Sequence, residues 1–384
     1  MTDPQSPPST PVAASRPERL LSIDALRGFD MFWIIGGDSL ARAIGKWWGT
    51  PAGEQFAEQF EHVAWEGFRF YDLIFPLFLF VVGVVLPFSL SKYQSGAHPR
   101  SAALGRIARR VVFLFVLGLI GNNLLQFDFA HLRVTGVLQR IAICYGFAAV
   151  IFLFSSVRTQ AILVAAILVG YYGLLMFVPA PETGKAGDFA KETNLAGYVD
   201  RHYLPGEIKE SYYGFGDNEG LLSTIPAVAT TLLGVLAGQW LATRHSPWVK
   251  VVALLAAGAA CLGAGTLWGL HFPIIKILWT SSYVLVVGGW SLILLGLFYA
   301  IIDVLKFRAW SYFFVVIGVN AITIYMAARI IPFDRIAFFF FGGLAKLSAQ
   351  YSPGSRPVVA AAGVLVVEWL LLLYLYRRRI FLRV

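Results

Sequence analysis

The sequence predicts an all-α polytopic membrane protein with about ten transmembrane helices and both termini cytoplasmic. Three observations carry this. Of 384 residues, 58% are hydrophobic and only 14% charged, against roughly a quarter charged in soluble domains. The apolar residues gather into runs near the ~20 residues that cross a bilayer. Lys and Arg also fall unequally on the loops at the two ends of those runs. A net charge of +9 would suggest nucleic acid in a soluble protein. In a membrane protein it reads as topology, so no nucleic-acid partner is expected.

Residues 1–19 are rich in Pro, Ser and Thr and hold no apolar core, so they read as a short disordered cytoplasmic tail rather than a signal peptide. Residues 20–384 then form one transmembrane domain, with apolar runs at 25–45, 69–91, 106–124, 135–154, 158–178, 222–243, 248–268, 282–304, 310–331 and 357–377. With the N-terminus inside, the inner loops carry Lys92, Arg100, Arg106, Arg109, Arg110, Arg158, Arg244, Lys250, Lys306 and Arg308, and the C-terminal tail adds Arg377, Arg378, Arg379 and Arg383. The outer loops carry mostly acids, from Glu54 and Glu66 to Asp188, Asp200 and Glu210. This is the positive-inside pattern of a multi-pass protein of the cell's inner (plasma) membrane. The long loop at about 179–221 is extracytoplasmic, with room for short helices. The apolar stretch 332–356 reads as interfacial or re-entrant. Cys144 and Cys261 lie in apolar runs and read as small hydrophobic residues, not as a disulfide or metal site.

Several runs contain polar groups that lipid would not tolerate. In the first, Asp24, Arg27, Asp38 and Arg42 project within roughly 60° of one another on a helix. A charge at the bilayer centre costs at least ~2.5–3.5 kcal/mol, so such a stripe faces a bundle interior or a wet cavity. The plainer alternative is two intrahelical pairs, Asp24–Arg27 and Asp38–Arg42. Gly36 and Gly37 allow close backbone approach or a local break just before Asp38. At the second run, "HVAWEGFRFYDLIFPLFLFVVG" crowds His62, Glu66, Arg69 and Asp72 at the outer mouth. A histidine is the side-chain type suited to proton transfer near neutrality, which makes His62 a candidate, and Asp72 reads either as part of a polar path or as a helix N-cap. Arg133, Gln139 and Arg140 open the fourth run. Asp217, Asn218 and Glu219 precede the sixth, where an N-cap is the plain reading. Lys276, Trp279, Ser281 and Ser282 lead into the eighth, and Asn320 lies within the ninth. A single such residue is often helix-packing glue; several together outline a hydrophilic path.

In chain order, "RLLSIDALRG", "HVAWEGFRFYDLIFPLFLFVVG", "GVLQRIAICY", "NEGLLSTIPAVATTLLGVLAG", "FPIIKILWTSSYV" and "GVNAITIYM" resemble the transmembrane acyltransferases related to lysosomal heparan-alpha-glucosaminide N-acetyltransferase, including bacterial relatives linked to N-acetylglucosamine use. The resemblance runs over roughly residues 19–383. It implies acetyl-CoA as co-substrate, taken from the far side of the membrane, and an amino sugar or glycan acceptor. The family's active-site histidine falls in the motif matched by "EHVAWEGF", so the resemblance gives His62 that role. A family asparagine falls near Asp38, which could orient His62, bind the acceptor or act as base itself. No counterpart of the lysosomal enzyme's large luminal domain is seen, which weighs against heparan-type acceptors.

The expectation is therefore an acyl-CoA-dependent transmembrane acyltransferase acting on an extracytoplasmic amino sugar or sugar hydroxyl. His62 and Asp38 are the catalytic candidates. Asp24, Arg27, Asp72, Arg133, Arg140, Glu219, Lys276, Trp279, Ser282 and Asn320 outline the path, and Arg106, Arg109 and Arg110 have the sign to meet the CoA phosphates. For these three arginines the positive-inside rule is the plain alternative. No metal is expected, and a homodimer is left open. The rival reading is a sugar or amino-sugar transporter, since a polar path through a bundle would serve either.

Overall fold

The structure, a computed structural model, describes residues 20–381. The expected tail at 1–19 and Arg383 lie outside them. The described chain is helical and forms no strand, only three isolated bridges. It begins with α1 (Leu21–Phe32), a π-turn at Trp33–Gly37, α2 (Asp38–Trp48) and the short α3 (Pro51–Glu58). Next come α4 (Phe70–Gln94), α5 (Arg100–Gly121), α6 (Val137–Phe154), α7 (Val157–Phe177), α8 (Leu195–Tyr203) and α9 (Leu221–Leu241). The last third holds α10 (Pro247–Gly269), α11 (Ser281–Phe298), α12 (Ser311–Val319), α13 (Ala321–Ile330), α14 (Phe333–Tyr351) and α15 (Arg356–Arg377).

Among the described residues, seven helices are long and apolar enough to cross a membrane: α4, α6, α7, α9, α10, α15, and α11 with its π-turn extension to Val304. An eighth span is present if α12 and α13 count as one, although they bend by 71° at Asn320. The ten expected spans thus include three that depart from a plain apolar helix. The first is broken where Gly36 adopts φ 138, a conformation that L side chains rarely take. The third is the continuous α5, which carries Arg106, Arg109 and Arg110 along its first half. The ninth is the bent pair. Residues 332–356, expected to be interfacial or re-entrant, hold the single helix α14, packed along α15.

α4, α6, α9 and α11 bury most of their surface inside the bundle, while α7, α10 and α15 are largely peripheral. α4 and α9 cross closely because both are small at the contact. A side chain at Gly83 would collide with the Thr231 carbonyl, and one at Gly234 with that of Phe80. This crossing places the N-terminal ends of α4 and α9 side by side, and the candidate site lies there.

Candidate active site

His62 lies in the segment between α3 and α4, which is clipped to the loop before α11. The Gly67 amide donates to the Ile274 carbonyl at 2.9 Å, and Glu66 bridges to Ile275. Asp72, in the first turn of α4, is fully buried and accepts from the backbone amides of Arg69 (3.1 Å) and Val63 (3.4 Å). Its other oxygen, Oδ1, meets His62 Nδ1 at 2.8 Å and accepts from Lys276 Nζ at 3.3 Å. The lysine lies against the imidazole, 2.9 Å from Nδ1 and 3.4 Å from Nε2. With the proton on Nδ1, where the Asp72 carboxylate accepts it, the Nε2 lone pair is left to take another. Burial pulls the Lys276 ammonium below its ordinary range, opposed by Asp72. Tyr71 stacks on the imidazole with ring centroids 4.7 Å apart.

This cluster opens on a cavity of about 610 Å³ lined by His62, Lys276, Trp279 and Glu219 together with Trp65, Tyr213, Tyr325 and Arg329. The segment 179–221 forms one wall of it through Lys191, Glu210, Ser211, Tyr213, Asn218 and Glu219, and holds α8 and a short 3-10 turn as expected. Arg133 locks this wall in place. It donates to Asp217 at 2.7 and 2.6 Å and to Glu219 at 2.5 Å. Burial works against its charge, but the two carboxylates outweigh that and hold it above the ordinary guanidinium range. The expected N-cap at 217–219 is replaced by another arrangement. The N-cap of α9 is Gly220, and the Leu221 amide donates instead to Asp200 at 2.9 Å, because Asp217 and Glu219 are committed to Arg133.

A second cavity, of about 240 Å³, lies further along the same helices. It is lined by Arg27, Ser89, Arg110, Tyr145 and the Gly318–Ile322 break. Between the two is an apolar neck of about 10 Å³. Phe78, Ile141 and Ile322 line both the neck and the arginine cavity; Ile34, Phe75, Val137 and Tyr325 line both the neck and the His62 cavity. The three spaces therefore follow one another through the bundle.

The expected residues divide accordingly. His62, Lys276, Trp279 and Glu219 meet at one cavity, with Asp72 directly behind His62. Arg27 and Arg110 meet at the other, where Arg110 lies over Tyr145 at 4.5 Å, while Arg106 and Arg109 are exposed outside it. Asp38 forms no hydrogen bond or ion pair with His62 among the described residues. It pairs with Arg42 at 2.8 Å and accepts from Ser39, so the plainer intrahelical alternative describes its contacts. Asp24 and Arg27 also approach each other, at 3.6 Å. Ser282 is buried against Thr280 and the Pro273 carbonyl, and Asn320 donates to Ile380 at the helix break. Arg140 is buried beneath Trp279. Sequence reading did not single out Tyr71, Trp65, Tyr213 or Arg329. Of these only Tyr71 carried a signal, as the neighbour of Asp72 in a helix's first turn. Asp30 was also missed: it is fully buried, and neither carboxylate oxygen has a hydrogen bond among the described residues.

The sequence is 25% identical to heparan-alpha-glucosaminide N-acetyltransferase from Homo sapiens over 437 aligned residues, which covers 98% of this chain and 62% of that protein. The Mus musculus protein of the same name is also 25% identical, over 96% of this chain and 61% of its own length. The chain is similar to both over nearly its whole length. It spans about three fifths of the length of these curated relatives. No protein-family model matches it. This similarity and the helical bundle together describe a multi-pass membrane protein that resembles N-acetyltransferases.

Proposed function

We propose that the chain transfers an acyl group, acetyl first of all, from acyl-CoA held at the arginine cavity to an amino sugar or sugar hydroxyl that enters the His62 cavity. The observation that carries this reading is the Asp72–His62 pair at 2.8 Å, opening on a cavity that continues through an apolar neck toward Arg27 and Arg110. In the reaction, His62 Nε2 takes the proton from the acceptor nitrogen or oxygen as that atom attacks the thioester carbon. The new N–C or O–C bond forms, the C–S bond breaks, and the sulfur leaves as thiolate to be reprotonated. Asp72 holds the Nδ1–H tautomer and stabilises the imidazolium, the role of the acid in a triad. Arg27 and Arg110 suit the phosphates, and the neck suits the uncharged arm.

Purified protein given radiolabelled acetyl-CoA and glucosamine should form labelled N-acetyl product, and His62→Ala should lose about 10²–10⁴ of the rate. Unlabelled acceptor with wild-type protein would refute the reading. We place the protein in the inner membrane with the His62 cavity facing out. Ala190→Cys should then react with an impermeant maleimide in intact cells and Arg100→Cys should not; the reverse labelling would overturn the two-sided arrangement.

A further inference from the structure

Arg140, on α6, is 1% exposed, yet among the described residues it forms no ion pair. One terminal nitrogen donates to the Gly220 carbonyl at 3.3 Å and to the Ser223 hydroxyl. Its Nε and Nη1 are buried without a hydrogen-bond partner. An unpaired buried cation is costly, and breaking up its few contacts more so. Its remaining contact is with the face of Trp279, 4.9 Å from guanidinium carbon to ring centre.

Trp279 is itself in an unusual state. It adopts φ 52, in the left-handed region that bulky residues avoid. Its indole N–H donates to Thr230 at 3.1 Å, and its ring meets Phe75 and Tyr283 edge-on. The Trp279 amide closes a tight turn on the Lys276 carbonyl at 3.0 Å. That turn delivers Lys276 to Asp72 and His62.

We propose that Arg140 is a positioning residue. Its guanidinium pins the Trp279 ring, the ring holds the strained turn, and the turn fixes Lys276 on the Asp72–His62 pair. The inference rests on the acyl-transfer reading for its kinetic consequence but not for its geometry.

Two measurements on the purified full chain test it. In the first, acetic anhydride labelling of Lys276 is followed by mass spectrometry, which needs no activity. Arg140→Gln should label at least fivefold faster than wild type, because the turn is released, and Arg140→Lys should fall between them. In the second, Arg140→Gln should lower kcat at least tenfold while the KM for acetyl-CoA stays within twofold, and adding Lys276→Met should cause little further loss. Should Arg140→Gln not fold, Trp279→Leu breaks the same contact from the other side and carries the same expectations. Unchanged Lys276 labelling in a folded variant would overturn the proposal, as would losses of Arg140→Gln and Lys276→Met that multiply. Wild-type protein without transferase activity would count against the function and leave the labelling test standing.

Discussion

His62 Nδ1 and Asp72 Oδ1 stand 2.8 Å apart, the histidine side chain 52% exposed and the carboxylate fully buried. An exposed base backed by a buried acid is the arrangement that lets one ring nitrogen exchange protons while the other stays fixed. The acid paired with His62 is Asp72, whereas Asp38 pairs with Arg42, and the proposed mechanism gives the role to Asp72. Asp72→Asn should therefore reduce turnover by about 10²–10⁴, whereas Asp38→Asn, which loses only the pair to Arg42, should stay within about tenfold of wild type. Steady-state transfer rates of the two purified variants decide this, and the opposite ranking would return the role to Asp38.

Lys276 places a cation 2.9 Å from the same imidazole. Removing it favours the protonated ring, so in Lys276→Met the acidic limb of kcat/KM against pH should move to higher pH. A limb that stays in place would show that the lysine does not couple to the base.

Burial pushes the Asp200 carboxyl from 3.8 up to about 6, against the opposing Leu221 and Asp217 amides. The folded segment thus holds this proton more tightly than the unfolded chain. The stabilisation is complete below about 3.8 and is lost as pH rises through about 6. It amounts to at most about 3 kcal/mol. Limited proteolysis of the segment 179–221 should accelerate between pH 4 and 6 (about the span of the shift), and Asp200→Asn should flatten that rise. Identical pH profiles for the two proteins would contradict it.

Ile322 lines both the neck and the arginine cavity. Ile322→Trp should obstruct the arm of acyl-CoA and abolish transfer, while CoA binding at the arginine end, followed by calorimetry, should survive within a few-fold. Full transfer activity in that variant would mean that the acyl group takes another route.

The helical class was legible in the sequence because apolar run length answers directly to bilayer thickness. The break at Gly36 was legible only as one of two alternatives, since a Gly-Gly pair also serves close backbone approach. Which acid serves His62 was not. Asp38 and Asp72 both lie in helix-forming sequence, and their contacts are set by how α2 and α4 are packed, which no local pattern reports. The Arg133 clamp was hidden for the same reason: Asp217 lies 84 residues away in sequence. An acid just before a helix looks like a cap until its long-range partner is known.

The narrow apolar neck has a consequence for the membrane as a whole. A constriction of about 10 Å³ walled by Phe75, Phe78, Ile141 and Ile322 offers water almost nothing to bond to, and such a passage empties rather than fills. A continuous file of water through the neck is thereby disfavoured, and with it a path along which protons could hop. In the two-sided arrangement proposed above, the chain would keep polar chambers open toward opposite faces of the bilayer and still act as an electrical insulator, leaving the ion gradient of its membrane undrained.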